Sequence, residues 1–238
     1  EYAIVQNDVM DYAYNGSDMF EGEKLANIAT IGTLYPEVVQ IAASKDSGIK
    51  SIADLRGKRV SIGDAGSGVE FNAKQILEGY GITFDDIKKN NLSFKESAEG
   101  IQNGTLDACF VTAGVPNSAL QELAFTAGLI LIPVDDDAAE KICSKYGYYT
   151  KTTIPGGTYK GTDNDTQALA IKATLAVNSS LDENIVYEMT KALFENLNTL
   201  GDAHAKGKEV SAAAAVTGVS VPFHPGAIKY YKEIGLMK

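Results

Sequence analysis

Residues 63–71, Gly-Asp-Ala-Gly-Ser-Gly-Val-Glu-Phe, carry three glycines and a serine directly in front of a segment with helical apolar spacing. A glycine-rich turn that feeds a helix start offers backbone N–H groups without intrahelical partners, together with the positive end of the helix dipole. That combination holds an anion. A triphosphate is a poor candidate. Gly63 to Gly68 has P-loop spacing, but Val69 and Glu70 stand where the motif needs Lys and Ser or Thr. A dinucleotide fares no better, because Phe71 occupies the place of the third fingerprint glycine. A carboxylate needs no cationic side chain at such a site. A second reading, in which Ser67 caps the helix and the glycines serve a tight turn, fits the same spacing.

Elsewhere no catalytic set emerges: there is no Gly-x-Ser-x-Gly, no His-Glu-x-x-His, and no cysteine with a plausible His and Asn. No catalytic residue, metal site or cofactor is expected. His204 and His224 are far apart and show no ligand spacing with Cys109 or Cys143. Asp135, Asp136 and Asp137 lack the alternation and glycine of a calcium loop and read as a solvated loop. Cys109, in the apolar run LDACFVTAG, reads as a buried thiol; a Cys109–Cys143 disulfide is left open. Tyr146, Tyr148, Tyr149 and Tyr159 either line a cleft or pack a face.

The positioning elements must fit within 238 residues, room for one large or two small domains. A net charge of −10 argues against nucleic acid while leaving a small anionic ligand possible. No apolar run approaches the ~18 residues of a membrane span. The chain opens without Met or a basic-apolar leader, so any secretory signal is expected to have been removed already.

Periodicity predicts a short buried strand at EYAIVQND, then a helix or turn over 9–14. LANIATIGTLYPEVVQIAAS reads as strand, bend at Tyr-Pro-Glu, strand. A short helix at 51–55, a turn at 56–58 and a buried strand at 59–62 lead into the glycine loop and its helix. The following stretch reads as strand, helix capped by Ser97, turn at Asn103–Gly104, strand, helix, strand. This βαβ alternation predicts a mostly parallel sheet flanked by helices. A looser Gly/Thr/Tyr-rich region with a turn at Pro155–Gly156–Gly157 comes next. A strand at ALAIKATLAVN, a helix from Asp182 and a last short helix after Pro225–Gly226 close the chain.

Four segments, LYPEVVQIAASKDSGIKSIADLRGKRVSIGDAGSGVE, GTLDACFVTAGVPNSALQELA, IPGGTYKG and FHPGAIKYYKE, together closely resemble the TAXI family, the extracytoplasmic solute receptors of TRAP transporters. The resemblance runs over essentially the whole chain. It implies an α/β, type II periplasmic-binding-protein fold, with two lobes, a central cleft and crossover strands as hinge. The expected organisation is lobe 1 from 1–56 and 158–238 and lobe 2 from 57–157. Family members open with a strand, a Gly/Thr/Tyr-rich loop, a helix and a second strand that do not precede EYAIVQND here, so the N-terminal part of the first lobe is expected to be missing.

The resemblance further implies a small carboxylate or amino acid as ligand, of glutamate, glutamine or 2-oxoglutarate type, and delivery to a TRAP membrane permease. Contact with the membrane would be through that permease alone, and the location periplasmic or extracytoplasmic. The expected ligand residues are Gly66, Ser67, Gly68 and Val69 as donors, with Glu70 pairing a ligand ammonium or staying structural. Ala113, Gly114 and Val115 form the opposing loop, and Tyr159 joins them. Gln6, Asp8, Tyr35 and Glu37 would face the cleft from the first lobe. Two alternatives remain: a sensory ligand-binding domain of a signalling protein, and an enzyme on the same bilobed fold.

Overall fold

The computed structural model describes residues 1–238. In chain order the elements are β1 (Tyr2–Gln6), α1 (Asn7–Asn15), β2 (Ile28–Ser44), β3 (Arg59–Ser61), α2 (Gly68–Gly79), β4 (Lys88–Asn90), α3 (Phe94–Gln102), β5 (Ala108–Ala113), α4 (Ser118–Thr126), β6 (Leu129–Leu131), α5 (Asp136–Lys145), β7 (Thr150–Ile154), β8 (Thr166–Asn178), α6 (Glu183–Glu195), α7 (Leu197–Ala203), α8 (Ala212–Ala215) and α9 (Pro225–Glu233). None of the helices is long and apolar enough to cross a membrane. Contacts divide the chain into unit 1, Glu1–Pro36 with Ile171–Lys238, and unit 2, Glu37–Ala170. The divisions fall inside β2 and β8, whereas the sequence reading placed them at 56/57 and 157/158. No loop-like composition marks the middle of a strand.

Unit 1 takes β1, the second half of β8 and the first half of β2. β1 pairs antiparallel with β8, from Tyr2↔Val177 to Gln6↔Ala173. The expectation of a buried first strand fails: Tyr2 is 71% and Ile4 59% exposed. β1 stands at the end of the strand order, next to β8, so its apolar residues border an open edge. The core gathers Ile31, Val186, Phe194, Ala227, Tyr230 and Tyr231. The amphipathic α6, capped by the Asp182 carboxylate, packs against α9. α9 begins at Pro225, whose missing N–H is harmless in a first turn, and is capped by His224 Nδ1 accepting from Gly226 N–H at 3.2 Å. A Cβ on Gly226 would collide with the Glu183 carbonyl, so glycine sets this close approach. The buried Tyr231 hydroxyl donates to Ile31 O at 2.9 Å. Burial of each such large side chain contributes roughly 1.5–3 kcal/mol.

In unit 2, β4, β3 and β5 run parallel as expected, with Val60 opposite Ala108 and Lys89. The antiparallel second half of β2 then pairs with β5, from Val38↔Ala113 to Ala43↔Ala108, and β6 pairs with β2 on its other edge. β7 pairs antiparallel with the first half of β8. The sheet is therefore mixed.

Three local expectations need correcting. β2 is one 17-residue strand passing through Pro36, with no bend. Its register with β5 begins at Val38, so the N–H that Pro36 lacks is not needed in that ladder, and proline's φ suits an extended chain. α3 is capped by Ser93, not Ser97: Ser93 and Glu96 form a capping box, while the Ser97 hydroxyl is buried against Ser61 Oγ at 2.7 Å. The triple-aspartate run is not a loop. Asp135 is the N-cap residue of α5, and Asp136 and Asp137 fill its first turn, where carboxylates complement the helix dipole.

Candidate functional site

The three parallel strands of unit 2 all deliver their C-terminal ends to one edge, the place where open α/β sheets bind ligands. β3 leads into the Gly63–Ser67 turn, β4 into Asn91, and β5 into Ala113–Pro116. Gly63 and Gly66 adopt φ of +87° and +73°, which any other residue would adopt only with strain, and a Cβ at Gly63 would strike Val69.

The donors at the start of α2 divide into two sets. The Gly66 N–H donates to Glu70 Oε2 at 2.7 Å, and the Ser67 N–H donates to Asp64 O at 3.1 Å. Ser67 Oγ caps the helix by accepting from Glu70 N–H at 3.3 Å. The Gly68 and Val69 amides, first and second in the helix, have no acceptor in the protein, and neither does the Ser67 hydroxyl proton. The capping reading and the anion-holding reading thus describe different atoms of one turn. Of the expected donors Gly66, Ser67, Gly68 and Val69, the Gly66 N–H is already taken by the Glu70 carboxylate, which leaves Ser67, Gly68 and Val69.

Glu70 is held on several sides. Asn91 Nδ2 donates to its Oε1 at 3.2 Å and to Gly63 O at 3.0 Å, while Lys89 Nζ stands 3.6 Å from the same Oε1. Glu70 therefore ties the glycine turn to the end of β4. Asn91 bonds the glycine turn but was absent from the expected set, since a lone Asn after a short strand carries no motif.

Tyr159 is 1% exposed. Its hydroxyl donates to Gln40 Oε1 and accepts the Asn117 N–H at 2.8 Å, and Gln40 Nε2 donates to Ala113 O at 3.3 Å. Burial pushes the Tyr159 phenol up to about 12, partly opposed by the Asn117 N–H. The side chain fixes the 113–117 loop from beneath. Val115 packs with Val38, Ile154, Ala168 and Ala170, and Ala113 and Gly114 are half-buried. The β5 end is tied to α2 through Thr112 Oγ1, which donates to Asn72 Oδ1 at 2.9 Å. Asn72 Nδ2 donates to the Tyr149 hydroxyl, which donates to Gln75 Oε1, and Gln75 Nε2 donates to the Tyr148 hydroxyl. Tyr148 and Tyr149 thus pack on α2. Cys109 and Cys143 are both free thiols.

On unit 1, Gln6 ends β1, and its side-chain oxygen is buried without a donor. Asp8 is fully buried in the first turn of α1, where its Oδ1 accepts the Val9 N–H at 2.8 Å. Tyr35 is half-buried against the unit 1 core, and Glu37 is the half-buried first residue of unit 2.

Against solved structures, the chain is similar to the alkanesulfonate-binding protein SsuA from Xanthomonas axonopodis pv. citri, bound to MOPS. The TM-score is 0.51 at 13% identity, over 100% of this chain and 62% of that one. It is also similar to a protein from Bordetella bronchiseptica RB50, with a TM-score of 0.52 at 13% identity, over 99% of this chain and 72% of that one. The chain spans about three fifths of the length of the SsuA protein it matches. The mixed α/β architecture is that of the periplasmic binding proteins. A model of the NMT1-like family matches residues 1–235, and the chain belongs to that family.

Proposed function

We propose that this chain is the solute-capturing part of an extracytoplasmic receptor that binds a small organic anion without transforming it. One observation carries the reading: the Gly68 and Val69 amides and the Ser67 hydroxyl form a cluster of donors that the protein does not use, at the ligand-binding edge of a periplasmic-binding-protein fold. A monoanionic carboxylate suits it, since two adjacent amides and a hydroxyl match two oxygens in size and charge. Glutamate, glutamine and 2-oxoglutarate are the ligands of choice, on the resemblance to the TAXI family. The same resemblance supports a periplasmic location and handover to a TRAP-type permease.

The test is a titration followed by tyrosine fluorescence, for which the chain offers 12 Tyr and no Trp. Glutamate, glutamine, 2-oxoglutarate and an alkanesulfonate are added in turn, and Ser67→Ala serves as control. Saturable binding of one acid, weakened about 5- to 20-fold in Ser67→Ala, is expected for the loss of one charge-assisted hydrogen bond. Flat signals for all three carboxylates overturn the reading, and saturation by the sulfonate alone would redirect it to that oxyanion.

A further inference from the structure

Within the apolar run ALAIKATLAV of β8 a single cation, Lys172, interrupts the pattern. Its ammonium is half-buried on unit 1 and has no carboxylate within ion-pair distance. Its acceptors are neutral and come from α8 and the turn after it: Thr217 Oγ1 at 2.7 Å, Thr217 O at 3.1 Å and Ala214 O at 3.4 Å. Neutral oxygens solvate an ammonium but do not neutralise it, and partial burial accordingly lowers the Lys172 pKa.

The three contacts are not equally needed. Ala214 O already receives the Thr33 hydroxyl at 3.0 Å and the Thr217 hydroxyl at 2.8 Å. The long contact from Lys172 is the one that can be given up without orphaning the carbonyl. The lysine is also held in place from its backbone. Its N–H donates to Asn7 Oδ1 at 3.1 Å, and Asn7 Nδ2 reaches Gly218 O at 3.4 Å, so one amide side chain braces both β8 and the turn. The turn is exposed at Thr217 and Gly218, which leaves the ammonium a solvent-facing side.

We infer that Lys172 Nζ is an anion anchor on unit 1, taking a carboxylate of a small organic acid in place of its contact to Ala214 O, with Thr217 and Asn7 as the residues that position it. This rests on the solute-binding reading for its ligand class but on unit 1 alone for its geometry.

The experiment follows the Lys172 side-chain ¹³Cε resonance of the intact chain by NMR, with and without saturating 2-oxoglutarate, alongside the Gly68 and Val69 amide resonances. The expected result is a ¹³Cε shift and a higher Lys172 pKa on adding the acid. In addition, Lys172→Gln should weaken binding at least about tenfold and Lys172→Arg less, in line with a charge-assisted pair. Movement of the Gly68 and Val69 amides with an unmoved Lys172 would overturn the inference and leave the proposed function standing. Silence at both places with 2-oxoglutarate, glutamate and glutamine would overturn both. Should Lys172→Gln fail to fold, the wild-type resonances still decide.

Discussion

The Glu70 carboxylate accepts the Gly66 N–H at 2.7 Å, so the glycine turn carries an anion of its own four residues downstream. The Asn91 amide and the Lys89 ammonium hold that carboxylate beside the two unused amides of α2. Its charge therefore weighs on whatever binds there. Glu70→Gln keeps the size and one acceptor but removes the charge. It is expected to tighten carboxylate binding about three- to tenfold, a change of the size of one partly screened charge pair, and to raise tolerance for dianions. Calorimetric titration of both proteins checks this; weaker binding in Glu70→Gln would mean that the charge assists the ligand.

Tyr159 joins Gln40 on β2 to Asn117 at the start of α4 through one buried hydroxyl. Tyr159→Phe leaves Gln40 Oε1 and the Asn117 N–H without that partner. Unsatisfied buried groups are costly, so a loss of about 2–3 kcal/mol in urea denaturation is expected. The 113–117 loop should also exchange its amide hydrogens faster while the rest of unit 2 keeps its protection.

Arg59 and Asp107 meet through the Nη2–Oδ1 pair at 2.6 Å, Nε–Oδ2 at 3.1 Å and the Arg59 backbone N–H to Oδ2 at 2.8 Å. The Arg59 side chain, opposed by partial burial, holds the Asp107 carboxyl below its ordinary value of 3.8. With the folded value depressed, the carboxylate's contribution is present above 3.8 and is lost as pH falls through the lower folded value. Urea midpoints measured from pH 7 down to about pH 2 should fall more steeply for wild type than for Asp107→Asn, which starts lower.

The two thiols should label very differently. Burial pushes Cys109 up to about 12, and it is fully buried on β5. Cys143, on α5, is half-buried and raised less. An aromatic disulfide reagent at pH 8 should modify one thiol per native chain, at Cys143, and both only in denaturant, since attack needs an accessible thiolate. Fast native labelling of Cys109 would contradict its burial.

Much of this was legible in the sequence. The glycine turn ahead of α2, the Asp182-capped α6 and the Pro225 start of α9 all carry local signals strong enough to survive folding. Pro36 misled because a proline reads as a break unless its strand partner is known, and the ladder just past it, from Val38, is set by β5, some 70 residues away. Ser93, four residues ahead of the expected cap at Ser97, did have its Glu96 partner in the sequence, so that cap could have been found. At the candidate site the donor turn could be read, but not which of its donors the protein itself uses. Nothing in Gly-Ser-Gly-Val-Glu tells whether the glutamate folds back onto Gly66, because Asn91 and Lys89 decide it from another strand. Lys172 left a clear trace, a lone cation in an apolar strand, that motif matching passes over.

The bond from the Tyr231 hydroxyl to Ile31 O spans 200 positions. Unit 2 is one uninterrupted segment, Glu37–Ala170, whereas unit 1 joins Glu1–Pro36 to Ile171–Lys238, so during synthesis Ile31 waits some 200 residues for Tyr231. During that interval Ile31 and its neighbours have no lasting cover. The stretch around Ile31 is therefore a place for a chaperone to bind until Tyr231 has been made.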